Sequence, residues 1–372
     1  MPTVIDSTRE VARELRRLLL DEVLAAARRK VGAKLGRGHY ARPLDLERDR
    51  VALLFFEDFE RDRFVKNDRR VRRALRRLYH ASRRSQRVTG FEVAFLVLVE
   101  ALRRAGWTVL VGDREAALEN PRYPVCISGY PHVLDRWDLP NPAVLGPGLL
   151  DHPALAPELM KDPRFATYFV GCEWMRSLFE QAWGPGTCTL WFGGIDLDAW
   201  PASPASAKDT DFVLYDKLPA ARHEMHDRVV AELDRRGLTH TLIRYRHYDH
   251  AGYRVALARS RGLIWLSEHE TQGFAYQEAM SADLPILAFD PGVWHDPNAA
   301  KHGVGPVPVS SVPWFDASCG ERFADAAGLP AALDRFLARR GEYAPRRYIE
   351  EHLSLAKSAE AFLAAYRAAA SR

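Results

Sequence analysis

The sequence predicts an α/β protein made of two doubly wound, Rossmann-like domains facing a cleft, preceded by an extra N-terminal amphipathic helix. Three observations carry that prediction. The chain has 372 residues, more than one domain usually holds. From residue 51 onward short apolar runs alternate with helical patterns, as in a parallel sheet covered on both faces. The alternation stops at "WPASPASAKDTD" (200–211), poor in large apolar side chains and rich in Pro, Ser and Ala, and then resumes, so this stretch reads as a linker. The expected divisions are a helical extension over 1–50, a first domain over 51–200, a second over 201–345, and a C-terminal helix over 346–372 placed to pack back across the domains.

The elements follow in order. Residues 7–29 space Val11, Leu15, Leu18, Leu19 and Val23 at helical intervals, and Ser7 with Glu10 fits a reciprocal capping pair. "VALLFF" (51–56), "WTVLVG" (107–112), "PVCISGY" (124–130), "PAVLGPG" (142–148), "TYFVG" (167–171) and "CTLWFGG" (188–194) read as strands. The clearest helices among them are 90–106 and 173–183. After the linker, "FVLYDK", "HTLIRY", "GLIWLS" and "PILAFD" are expected strands, separated by helices near 223–236 and 250–260 and by the helix that holds Glu278. Two long helices, near 321–340 and 346–370, are expected to finish the chain.

Composition narrows the function. Apolar residues make up 47% and charged residues 27%, a globular mix, and no apolar run approaches the ~20 residues that cross a bilayer. The N-terminus lacks a charged-then-apolar leader, so the expected location is cytoplasmic. Cys126, Cys172, Cys188 and Cys319 form no CxxC pair, which argues against a disulfide framework and a zinc site. No G-x-G-x-x-G follows a strand, against a dinucleotide-dependent dehydrogenase. The formal charge is only +4, yet arginines crowd residues 61–87. That segment reads as a solvated helix or as a contact with an anionic membrane surface, to which helix 7–29 would add. Nucleic acid is set aside, because no recognition motif or aromatic interleaving accompanies the arginines.

The most informative stretch is "SEHETQGFAYQEAM" (267–280), where Glu270 and Glu278 bracket Gly273 just after an apolar run. In an open parallel sheet ligands bind beyond the carboxyl ends of the strands. Gly273 permits close backbone approach, and the free N–H groups of the next helical turn favour an anion. The carboxylates would repel a phosphate but accept hydrogen bonds from hydroxyls, as on a sugar or ribose. The alternative is that both are solvated acids favoured by the helix dipole.

Glu270 to Glu278 and the following "AMSADLPILAF" resemble the E-x7-E signature of retaining glycosyltransferases of the GT4 type, which have the GT-B fold; Asp283 stands where that family usually has Gly. "TLWFGGIDLDAWP", with Gly194-Ile195-Asp196, is similar to the end of the family's acceptor-side domain. "FVLYDKLPAAR" resembles the opening of its donor-side domain, with Lys217 and Arg222 at the spacing of two basic residues that grip a diphosphate, although Lys217 follows Asp216 where the family has Gly before Arg.

The resemblance covers roughly residues 87 to 370. It implies transfer of a sugar from a nucleotide-diphosphate donor, a UDP- or GDP-sugar, to a glycan or lipid-linked acceptor with retention of configuration. Glu278 would bind the ribose, Glu270 the sugar hydroxyls, and Gly273 with Phe274 the donor. Lys217 and Arg222 would offset charge on the departing diphosphate, a task otherwise given to a metal, so no metal or other cofactor is required. Further candidates are Gly90 at a helix start near the diphosphate, Asp151 and His152 on the acceptor side with His132 as a rival, and Arg246 and Tyr248 near the base. Each has a bland alternative: a helix-entry glycine, a capped turn in "LDHP", or surface side chains. Competing functions are a nucleotide-sugar epimerase of the same fold and a non-catalytic module that binds an anionic surface.

Overall fold

A computed structural model describes residues 43–57, 90–219, 222–294 and 306–371. The expected helix over 7–29 and the arginine-rich segment 61–87 lie outside the described residues. Among those described, no helix is long and apolar enough to cross a membrane.

The chain forms two compact units. Of the described residues, one takes those up to Gly171, then Phe179–Trp191 and those from Ser358 on; the other takes Cys172–Leu178 and those of Phe192–Lys357. Passage between units thus falls at Trp191–Phe192, ahead of the stretch 200–211, and again near Ser358.

The first unit holds a six-stranded sheet. β1 (Val51–Glu57), β2 (Thr108–Val111), β3 (Val125–Gly129), β4 (Ala143–Gly148), β5 (Phe165–Val170) and β6 (Cys188–Leu190) lie in the order β2-β1-β3-β4-β5-β6, every adjacent pair parallel. Helices α1 (Gly90–Arg104), α2 (Arg114–Glu119) and α3 (Glu173–Trp183) occur among the crossovers. The six β5 residues are all buried, the continuous apolar run of a strand covered on both faces.

The second unit repeats the plan. β7 (Thr210–Asp216), β8 (His240–Arg244), β9 (Ser260–Leu266), β10 (Ile286–Phe289) and β13 (Gly320–Phe323) lie in the order β8-β7-β9-β10-β13, again all parallel, and a two-stranded ribbon pairs β11 (Val293–Trp294) with β12 (Val307–Pro308). Helices α4 (His223–Arg235), α5 (His250–Arg259), α6 (Phe274–Ser281) and α7 (Leu329–Ala338) accompany them. Side chains alternate between faces along each strand. Val213, Tyr215, Trp265 and Ala288 join Tyr253, Leu257, Tyr276 and Met280 of α5 and α6, whereas Phe212, Leu214, Ile264 and Leu287 join Val229, Leu233, Leu333 and Phe336 of α4 and α7. Both faces are therefore covered, and the unit is doubly wound as the sequence predicts.

Both long helices expected at the end of the chain differ from expectation. The stretch 321–340 is not one helix: β13 occupies Gly320–Phe323 and α7 begins only at Leu329. Gly320 has φ +146, and a Cβ there would lie 1.9 Å from the Ile286 carbonyl oxygen, so glycine permits β13 to close on β10. The C-terminal stretch also breaks, into a short helix Pro345–Tyr348, a π turn Ile349–Leu353, and α8 (Leu355–Ala370) after Ser354.

Candidate functional site

Strand order locates the site. In the second unit β7 is flanked by β8 and β9, so the winding reverses between β7 and β9, and in open α/β sheets ligands bind at the carboxyl ends beside such a reversal. Lys217 directly follows β7, and Ser267 to Glu270 directly follow β9. The Lys217 amide donates to the Leu266 carbonyl (2.9 Å), which extends the ladder to this point.

The two exits are joined by charge. Lys217 Nζ donates to both oxygens of Glu270, at 2.6 Å to Oε1 and 2.9 Å to Oε2, and Ser267 Oγ donates to Oε1 at 2.9 Å. Glu270 is 7% exposed, and its backbone is fixed as well: its amide donates to Ser310 O at 3.0 Å and its carbonyl accepts from Trp174 Nε1 at 2.9 Å. A buried carboxylate needs such partners, because desolvation is otherwise costly. Alongside, Arg222 Nε lies 2.9 Å from Glu268 Oε1, so each cation after β7 faces a carboxylate after β9. Lys217 Nζ also stands 4.9 Å from the centre of the Tyr245 ring.

Gly273 turns the chain into α6 with φ +87 and ψ 52. A Cβ there would lie 2.1 Å from Tyr276 Cε1, and Tyr276 is fully buried, so conformation and space both demand glycine. Gly273→Ala is expected to cost more than about 1 kcal/mol, the lower bound of the left-handed penalty for a residue with a side chain, measured as the shift of a urea unfolding midpoint. An unchanged midpoint would show that the turn relaxes freely. Beside the turn, Gln272 is buried; its Oε1 accepts from Gly193 N at 2.7 Å and its amide donates to the Gly193 carbonyl. Phe274 is partly buried against the core and would meet a Cβ on Gly193 at 2.5 Å. Asp283 adopts φ 61, the left-handed conformation that Asp tolerates better than most residues, in place of the glycine expected there.

Glu278 points elsewhere. It is partly buried, and among the described residues its carboxyl makes no hydrogen bond. Burial pushes the carboxyl from its ordinary 4.5 up to about 8, with the Arg254 guanidinium pulling the other way. Its surroundings come from three elements: Tyr215 on β7, Tyr248 after β8, and Tyr253 with Arg254 on α5. Tyr215 Oη donates to Tyr248 Oη at 3.0 Å and Tyr253 Oη to Ala275 O at 2.7 Å, while Arg254 covers the Trp200 ring at 4.7 Å. Burial holds all three phenols well above their ordinary range, and the nearby Glu278 carboxyl adds to it. Glu270 is thus not a solvated acid, whereas Glu278 keeps part of its surface exposed.

The second unit contains Lys217, Arg222, Arg246, Tyr248, Glu270, Gly273, Phe274 and Glu278. Arg246 is exposed, with φ 67, and its guanidinium stands 5.1 Å from the Tyr245 ring centre. Gly90, His132, Asp151 and His152 belong to the first unit. His152 is buried, and its Nδ1 accepts from Ala154 N at 3.1 Å, capping the turn Pro153–Leu155; Asp151 is exposed and His132 half-buried. A Cβ on Gly90 would meet nothing within 4 Å, so packing does not require that glycine. Ser267, Glu268, Gln272, Tyr215, Tyr253 and Arg254 complete the site without having been expected. Of these Ser267, Glu268 and Gln272 had a sequence signal, their place inside the motif stretch. Among the described residues no group of three His, Cys, Asp or Glu side chains is placed to hold a metal ion.

No family model matches the chain, and no curated protein does. Solved structures are similar in part. WaaB, a lipopolysaccharide outer core galactosyltransferase, shares 10% identity over 84% of this chain and 98% of its own, with a TM-score of 0.47. WaaG, a glycosyltransferase involved in lipopolysaccharide biosynthesis, shares 10% over the same shares, with a TM-score of 0.39. S. aureus TarM, crystallised with fondaparinux, alpha-GlcNAc-glycerol and UDP, shares 12% over 74% of this chain with a TM-score of 0.45, and the match spans 59% of TarM.

Proposed function

We propose that this chain is a retaining, metal-independent glycosyltransferase of the GT4-like type and GT-B fold, moving a sugar from a nucleotide-diphosphate donor to a glycan or lipid-linked acceptor. The observation that carries the reading is the Glu278 carboxyl: partly buried, within the field of Tyr248, Tyr253 and Arg254, and without a hydrogen bond among the described residues, it stands eight residues after Glu270, which Lys217 joins at the reversal of strand order. Such a group suits a ligand that brings its own hydroxyl donors, as a ribose does.

The remaining roles follow from chemistry. Glu270 offers about four lone-pair positions; Lys217 takes two and Ser267 one, which leaves one on Oε2 for a sugar hydroxyl. Lys217, held by Glu270 yet 27% exposed, and Arg222 would offset charge growing on the leaving diphosphate, while the first N–H groups of α6 add their dipole. Arg246 and Tyr248, after β8, are assigned to the base side. Asp151 and His152, with the acceptor, are assigned to the first unit.

The test is calorimetric titration of UDP, GDP and ADP followed by turnover with their sugars. The expected result is micromolar binding of one nucleoside diphosphate, weakened by Glu278→Ala by roughly 1.5–3 kcal/mol, and slow release of that nucleotide from its sugar in the presence of EDTA. Undiminished affinity in Glu278→Ala would remove the ribose assignment. Acceptor-free isomerisation of the sugar would favour an epimerase, and absence of any nucleotide binding a non-catalytic module.

A further inference from the structure

A second charged cluster lies at the opposite end of the same sheet. Lys208 precedes β7, Arg261 stands near the start of β9, and Arg340 follows α7. These are the amino ends of β7 and β9, and seven residues of strand separate them from Lys217 and Glu270, about 20 Å at ~3.3 Å per residue.

Three cations share few acids there. Arg261 Nη2 donates to the Lys208 carbonyl at 2.7 Å, and Arg261 Nη1 lies 3.5 Å from Asp211 Oδ1. Arg340 Nη1 reaches the same oxygen only at 3.8 Å. The other oxygen, Asp211 Oδ2, is occupied by the Thr239 amide (3.0 Å) and hydroxyl (2.9 Å). Asp283 is the further acid whose field reaches Lys208. Arg340 is 25% exposed and lies over the Phe212 ring at 5.5 Å, yet its Nε and Nη2 are buried with no hydrogen-bond partner among the described residues. Buried guanidinium donors are normally bonded, since leaving one unmade forfeits its hydration without return. Burial also lowers the Lys208 ammonium below its ordinary range; Asp283 opposes this, and Arg261 and Arg340 reinforce it.

We propose that Lys208, Arg261 and Arg340 form an oxyanion site for a phosphate group, separate from the Lys217–Glu270 centre. A tetrahedral oxyanion would give the Arg340 fork its acceptors, relieve the repulsion among the three cations, and leave Asp211 on Thr239. The ligand is free phosphate or the phosphate of a small monoester, which the two share.

The test is a thermal-shift and calorimetric titration of the full chain with inorganic phosphate and with glycerol phosphate, each against potassium chloride of equal ionic strength. The expected result is saturable stabilisation by at least one of them, retained in Lys217→Met and weakened roughly tenfold in Lys208→Gln and in Arg340→Met, as loss of one charge-assisted bond predicts. If Arg340→Met fails to fold, Lys208→Gln decides. A response to phosphate alone assigns the free ion, and an equal or stronger response to glycerol phosphate assigns the monoester. No saturable response beyond chloride, a response unchanged in Lys208→Gln, or one lost in Lys217→Met would overturn the proposal.

Discussion

Lys217→Met is expected to destabilise the second unit by about 3 kcal/mol, because it leaves Glu270 buried with only the Ser267 hydroxyl as partner. Removing one member of a buried ion pair typically costs about 3–5 kcal/mol, and the partial exposure of Lys217 places this pair at the lower end. An idle surface pair would cost under about 1 kcal/mol, so urea unfolding separates the two cases. Glu270→Gln in the Lys217→Met background should restore much of the loss, since a neutral amide no longer demands a cation; a double variant as unstable as Lys217→Met would show that packing, not charge, is at stake. Under the proposed function both variants stay inactive, because the leaving diphosphate has lost its cation.

The second large effect concerns Glu278. Its folded value, about 8, lies above the ordinary 4.5. Between the two the folded chain keeps a proton that the unfolded chain has released, so stability is full below about 4.5 and falls as pH rises toward 8. The slope is at most about 1.4 kcal/mol per pH unit, and less for a side chain that still meets solvent. Glu278→Gln should flatten this slope, leaving Tm little changed at pH 5 and raised relative to the wild type at pH 8.5. Nucleotide affinity moves oppositely under the ribose assignment: hydroxyl donors favour the ionised carboxyl, so wild-type affinity should climb from pH 6 to 8 and level off, while Glu278→Gln shows no such climb. Parallel pH profiles of the two proteins would sever Glu278 from both effects.

The sequence made the parallel strands and most helices legible because each carries its own apolar rhythm. β13 escaped, since four residues, Gly320 to Phe323, are too few to display a period, and the glycine that lets them approach β10 also reads as a break. The site was legible where partners sit together, as in Glu270, Gly273 and Glu278. It was not where partners are remote: Lys217 and Glu270 are 53 positions apart, and the phenols around Glu278 come from β7, the loop after β8, and α5. The bond from Lys217 to Glu270 was hidden for the same reason, because an ion pair leaves no trace in either local pattern. The relation of Arg222 to Glu268 was equally hidden.

The last helix bears on how the chain is made. Tyr366 on α8 accepts from the Leu53 amide at 2.9 Å and donates to the Pro124 carbonyl at 2.5 Å, and the Ser358 carbonyl accepts from Trp191 Nε1 at 3.2 Å. The residue that seals β1 against the start of β3 therefore follows the second unit in sequence, 313 positions after Leu53. The second unit has all its strands in hand before Lys357, so on emerging it can close first, although the sheet of the first unit is synthesised earlier. Chains truncated after Lys357 should accordingly protect the second unit from protease while the first remains open, reversing the usual order in which the N-terminal domain folds first.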